Sequence, residues 1–141
     1  MITDNLLQYS AAQALTVTAA STNVIDHSSD RDIGIGERMA VVFTVDALLA
    51  GTTPTFSAAI QVSPTVGFGT PVTVISTGTY TALAAGTRVV LPIPPDTSFD
   101  RYSRINYTLG GTAPTVSVTA NLVPAEFVQA DQYGPTAFVV Q

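Results

Sequence analysis

The sequence predicts an all-β protein, an antiparallel sandwich or barrel of about eight short strands. Three observations carry this expectation. Apolar and polar residues alternate with period two along most of the chain, as they do when alternate side chains of a strand face a core and a solvent. Clusters of Gly, Pro, Thr and Asp interrupt the alternation at spacings near ten residues, the pattern of strands joined by turns. No interval between the apolar runs leaves room for a crossover helix, so a βαβ arrangement is excluded.

Taken in order, Met1 to Ala14 is the one segment with helical character. Leu6, Leu7, Ala11, Ala14 and Leu15 lie near one face of a helix and Asp4 is placed to cap it, although an extended arm fits the same residues. From Leu15 the runs LTVTAA and STNVID form one strand or two, followed by the loop HSSDRDIGIGE. Met39, Val41, Phe43 and Val45 then define one face of a strand and Ala40, Val42, Thr44 and Asp46 the other. Gly51 to Pro54 reads as a turn. Phe56, Ala58, Ile60 and Val62 are the inward face of the next strand, which Pro64 ends.

VTVIST, TYTAL and the run around Val89, Leu91 and Ile93 follow. Pro92 lacks a ladder donor and marks an edge strand or a strand end. Arg101 to Pro124, RYSRINYTLGGTAPTVSVTANLVP, is expected to be a hairpin. Ser103, Ile105, Tyr107 and Leu109 share one face of its first strand, and Val116, Val118, Ala120 and Leu122 the apolar face of its second. Gly110 to Pro114 supplies residues suited to its turn. The tail from Pro124 departs from this pattern but keeps Phe127, Val128, Tyr133, Phe138, Val139 and Val140. So many large apolar groups predict docking, on its own sandwich or on a neighbouring subunit. The expected division is an N-terminal arm or short helix over 1–14, a β-sandwich over 15–123 and a C-terminal arm over 124–141.

Composition narrows the function classes. The 141 residues fit one domain. Only 11% are charged, against about 25% in ordinary soluble domains. Lysine is absent, the basic residues are Arg31, Arg38, Arg88, Arg101 and Arg104, and the net charge is −5; a phosphate-tracking groove cannot be assembled from these, and no nucleic-acid partner is expected. A mean hydropathy of +0.36 with so little charge points to a surface partly covered by other subunits, with a monomer bearing a Thr-rich surface as the alternative. No stretch is long enough to span a bilayer, so no membrane partner is expected. The start MITDNLLQYSAAQAL lacks the pattern of a signal peptide, and without cysteine no disulfide can form.

No catalytic constellation stands out. His27, the single histidine, lies between Asp26 and Ser28, but neighbours in an extended chain point to opposite faces and cannot form a triad; a solvated loop histidine is expected. Asp26, Asp30, Asp32 and Glu37 are oxygen donors, yet their spacing does not match an EF-hand and Arg31 intrudes, so turn-forming carboxylates explain them and no metal is expected. Gly34-Ile35-Gly36 lacks the third glycine and the helix of a dinucleotide site. No cofactor follows. Arg104, on the wet face of the expected hairpin, is suited to a bidentate contact with a partner carboxylate, or to an internal pair with Asp96 or Asp100.

Two stretches, SAAQALTVTAASTNVID with RDIGIGE and RYSRINYTLGGTAPTVSVTANLV, resemble the jelly-roll capsid cement, or decoration, proteins of tailed phages, of the type found on a Bordetella-infecting podophage. The resemblance implies a jelly-roll β-sandwich without enzymatic activity. It also implies a homodimer or homotrimer that binds the outside of the capsid and clamps neighbouring major capsid protein subunits, after assembly in the host cytoplasm. Leu6, Leu7, Tyr9, Phe127, Tyr133 and Phe138 are then the expected apolar contacts with shell or subunit, and Arg101 and Arg104 the polar ones. A carbohydrate-binding jelly roll is the alternative, thinly supported in a chain with no Trp.

Overall fold

The computed structural model describes residues 4–33, 38–94 and 97–125, with the backbone alone for 31–33. Two long strands dominate it. β5 (Met39–Ser63) and β9 (Tyr102–Pro124) pair antiparallel from Met39 opposite Pro124 to Ser63 opposite Tyr102. The alternation read from sequence holds on both: Val41, Phe43, Val45, Phe56, Ala58, Ile60 and Val62 are buried on β5, and Ile105, Tyr107, Val116, Val118, Ala120 and Leu122 on β9.

This pairing overturns two expectations. Arg101 to Pro124 is not a hairpin, and Gly51 to Pro54 is not a chain-reversing turn. The two glycine-rich stretches lie opposite each other, Thr52 against Thr112 and Thr55 against Gly110, in the middle of one continuous ribbon. Register shifts are concentrated there, and ten steps along β5 from Val45 to Thr55 oppose eight along β9 from Gly110 to Val118. Extra residues of this kind bend a strand. The backbone supplies the bend through positive φ at Gly51 (+130°), Thr53 (+47°), Gly111 (+96°) and Ala113 (+49°). Glycine is needed at two of these positions, since a Cβ on Gly51 would press on the Ala113 carbonyl and one on Gly111 on the Thr53 carbonyl.

The bend folds the ribbon onto itself. Phe43 is paired with Ala120 and Tyr107 with Ala58, so on a straight ribbon the two rings would be fifteen β5 residues apart, roughly 50 Å at about 3.3 Å per residue. Their centroids lie 6.4 Å apart, edge to face at 77°. The apolar faces of the two halves therefore enclose a common core, as when strands pass from one layer of a sandwich to the other through a bend.

Shorter strands widen each half. β7 (Arg88–Pro92) pairs with the first half of β5, and β1 (Gln8–Leu15) with the second half of β9. β6 (Val72–Ser76) pairs with the second half of β5, while β2 (Ala19–Ala20) and β3 (Ile25–Asp26) pair with the first half of β9. β4 (Arg31–Ile33) and β8 (Thr97–Phe99) form a separate two-stranded sheet. β7 pairs only with β5 and ends at Pro92, the edge position expected of that proline. TYTAL forms only an isolated bridge between Tyr80 and Phe56. The described residues form nine strands, of very unequal length.

The N-terminal segment is not a separate arm. Asp4 does cap a turn, its Oδ1 accepting the Leu6 N–H at 2.9 Å, but this is a single 3-10 turn over Asn5–Leu7. The chain then joins the sheet as β1, whose pairing of Ala14 with Ser117 and Leu15 with Val116 runs across the expected boundary at residue 14. An unpaired β9 edge would leave backbone donors and acceptors without partners, and β1 satisfies them.

Candidate functional site

The expected interface residues fall into different environments. Leu6 is 82% exposed, Leu7 is half-buried against the core, and Tyr9 is wholly buried. Tyr9 is thus corrected from a contact residue to a core residue: the register shift between Gln8 and Ser10 breaks simple alternation and lets both Tyr9 and Ser10 turn inward. Phe127, Tyr133 and Phe138 lie outside the described residues, as do Gly34 to Glu37 and Asp96.

Buried hydroxyls join the two halves of the ribbon. The Tyr9 hydroxyl and Ser103 Oγ are 2.8 Å apart, as are Ser10 Oγ and the Tyr107 hydroxyl. Burial pushes the Tyr9 phenol up to about 12, only partly offset by the Ser103 hydrogen bond. Burial raises Tyr107 as well, against the opposing bond from Ser10. Both phenols are therefore neutral hydrogen-bonding groups at physiological pH.

His27 is not a solvated loop residue. Its Nε2 lies 2.8 Å from Ser103 Oγ, and its ring stacks on Phe99 at 5.6 Å and 8°. A serine beside a histidine invites comparison with a nucleophilic pair, but the geometry opposes it. Ser103 is fully buried and shares its oxygen with Tyr9, so no substrate can reach it. Asp26 cannot orient the imidazole, because its two carboxylate oxygens accept from Arg101 Nε and Nη2 at 2.9 Å each. That hydrogen-bonded pair, with help from the Ser28 N–H, holds the Asp26 carboxyl down at about 2. Among the described residues no three His, Asp or Glu are grouped to hold a metal ion.

The surface carries more organised groups. Arg104 opposes Gln61 in register, donates to its Oε1 at 3.0 Å, and places its guanidinium 4.3 Å from the Phe68 ring centre. Arg101, tied to Asp26, lies 5.0 Å from the Tyr102 ring centre. Side-chain hydrogen bonds and stacking of this kind hold the two arginines in place while leaving Arg101 open to solvent. Leu48, Val66, Val72 and Val17 are further exposed apolar residues. Sequence reasoning passed over them because they sit beside turns or on outward positions, where a single apolar residue carries no distinguishing signal.

These features define a class: an antiparallel all-β protein built on one folded ribbon, with its polar chemistry spent on internal hydrogen bonds and its ordered arginines at the surface. The chain belongs to the Bbp16 family, a family of Bordetella phage proteins, whose family model matches residues 9–122. No curated protein sequence matches it. Among solved structures, the crystal structure of PirA is similar at 16% identity and a TM-score of 0.38, over 79% of this chain and 92% of that one. The structure of infectious bursal disease virus Gx strain is similar at 14% identity and a TM-score of 0.42, over 82% of this chain and 30% of that one. Likenesses this distant add nothing to the topology described above.

Proposed function

We propose that this protein is a structural component of a phage virion, a non-enzymatic decoration protein that binds the outer capsid surface and cements neighbouring major capsid protein subunits. The observation that carries the reading is membership of a phage protein family across residues 9–122, a span that starts within β1 and reaches into the last residues of β9. Two layers joined by a bent central ribbon agree with a jelly roll, and we read the fold as one. Low charge and exposed apolar residues suit a protein that acts through large non-covalent contacts. Leu6, Arg101 and Arg104 are the described residues best placed for such contacts.

As a homodimer or homotrimer, the protein would reach two capsomers at once, and its second contact would form at high effective concentration without each contact being tight. The test is cryo-electron microscopy of purified heads assembled with and without this chain. Extra density on the outer surface, lost when the chain is omitted, is the expected result. Heads with identical smooth surfaces would overturn the proposal.

A further inference from the structure

Charge is distributed unevenly between the two ends of the molecule. The halves of the ribbon, Met39 to Ala47 and Thr55 to Ser63 along β5, are equal in length, so folding at the bend brings the pairs Met39–Pro124 and Ser63–Tyr102 to the end opposite it. Most of the described charged residues gather at that opposite end. Asp26 faces Tyr102 and Arg104 faces Gln61 in register, Arg38 precedes the first of the two pairs, and Asp100 and Arg101 lead into the second. Toward the bend they stop: no residue from Asn5 to Ile25, from Ala47 to Thr87 or from Ile105 to Ala125 is charged.

Four segments lie side by side at the bend end. β1 and β5 flank β9, with Leu15 opposite Val116 and Ala47 opposite Ser117. Val17 and Leu48 lie just beyond these pairs, on flanking segments two strand spacings, roughly 10 Å, apart. Both are open to solvent, Val17 at 66% and Leu48 at 56%. Between them β9 contributes the exposed Gly111, Thr112 and Ala113; on the far side of β5 the Leu49 N–H donates to the Leu83 carbonyl at 2.9 Å and brings in the exposed Ala82, Ala84 and Ala85. Asp46 and Arg88 are the nearest described charges. Asp46 is drawn back from the bend by the Thr119 hydroxyl, which donates to its Oδ2 at 2.7 Å from a position opposite Thr44, and Arg88 pairs with Thr44.

A well-solvated protein surface carries charge on about 25–35% of its residues, and depletion of charge marks the centre of a protein interface. The charge map also selects what covers this end. The chain carries a net charge of −5, so two copies repel one another over most of their surface. The bend end can meet its own image without setting like charges against each other, as a twofold contact requires. A foreign partner is steered and selected by complementary charge, and this end offers none.

We infer that the bend end is a self-association surface through which two copies of the chain pack end to end about a twofold axis, with Leu48 and Val17 as its apolar contacts. The inference goes beyond the virion reading and does not rest on it. A dimer of this form keeps Arg101 and Arg104 at its two far ends, outside the interface.

Sedimentation equilibrium of the purified full-length chain between about 1 μM and 1 mM tests this without capsids. A reversible monomer–dimer equilibrium is expected. Each substitution enters a twofold interface twice, so Leu48→Asp and Val17→Asp should each weaken dimerisation about tenfold or more. Val66→Asp, at an exposed valine in the loop after Ser63 and so at the opposite end, should leave it unchanged. Leu48→Gln, which removes the apolar contact without adding charge, should weaken it about threefold and keeps the test open where an aspartate variant melts early. A monomer at every concentration, a trimer, or a dimer weakened no more by the Leu48 variants than by Val66→Asp would overturn the inference.

Discussion

The Tyr9 hydroxyl meets Ser103 Oγ at 2.8 Å inside the core, across ninety-four residues of sequence. The chain around Tyr9 is hydrogen-bonded to the second half of β9, through Gln8 with Asn121 and Ser10 with Ala120, whereas Ser103 belongs to the first half. Tyr9 therefore spans the two layers, and its neighbour Ser10 does the same through Tyr107. The first strand acts as a polar stitch through an otherwise apolar interior.

Cutting the stitch at its two points should give unequal results. Tyr9→Phe leaves Ser103 with His27 as a partner, so only the net value of a hydrogen bond is lost, about 0.5–1.5 kcal/mol. Ser10→Ala leaves the buried Tyr107 hydroxyl without its partner and is expected to cost about 1–3 kcal/mol. Urea denaturation midpoints measure both; a smaller loss for Ser10→Ala than for Tyr9→Phe would contradict the assignment.

Alkali should unfold the protein through the same tyrosines. The Tyr9 phenol ionises near 10 in the unfolded chain but near 12 in the fold, and Tyr107 is also raised. Between these values the unfolded state binds fewer protons than the native one, so stability is intact below about pH 10 and falls as pH rises through 12. The limiting slope is about 1.4 kcal/mol per pH unit for each tyrosine. Denaturation at a series of pH values from neutral to about 11.5 checks this, and Tyr9→Phe should flatten part of the decline.

On the acid side, the Asp26 pair with Arg101 helps above the ordinary carboxylate range and is lost as pH falls from 3.8 through about 2. Because both partners are open to solvent, added salt should erase most of the difference between Asp26→Asn and the parent protein. A gap in unfolding midpoints that survives 1 M salt would show that the pair is more than a surface contact.

At the bend, Gly111→Ala is expected to destabilise more than Gly86→Ala. Both glycines have positive φ, but only Gly111 has carbonyl oxygens where the Cβ would go. Gly86→Ala should cost about 1 kcal/mol from backbone strain alone, and Gly111→Ala about 2–4 kcal/mol. Thermal melts of the two variants provide the comparison, and equal shifts would remove the special role given to the bend.

What the sequence revealed follows from what alternation encodes. Period two told which side of each strand faces the core, and this held for Phe43, Ile60, Tyr107 and Val118 alike. It could not tell which strand pairs with which, because register and partner are set by contacts distant in sequence. Gly110 to Pro114 correctly signalled unusual φ values, but a bend within a strand and a reversal between strands draw on the same residues. The Ala-rich β1 satisfied helical and extended patterns together until the edge of β9 decided between them. His27 was read from its neighbours Asp26 and Ser28, whereas its environment is made by Phe99 and Ser103.

The continuous pairing of β5 with β9 also sets the order of events during synthesis. The nearest paired residues, Ser63 and Tyr102, are thirty-nine positions apart, and the farthest, Met39 and Pro124, span most of the chain. β1, β2 and β3 likewise take their partners from β9. Before β9 is made, β5 can pair with β6 and β7, but β1, β2 and β3 have no template until a long loop closes onto β9. β9 is the last of the described strands to be made, and the first residues of the chain are among those that wait longest for a partner.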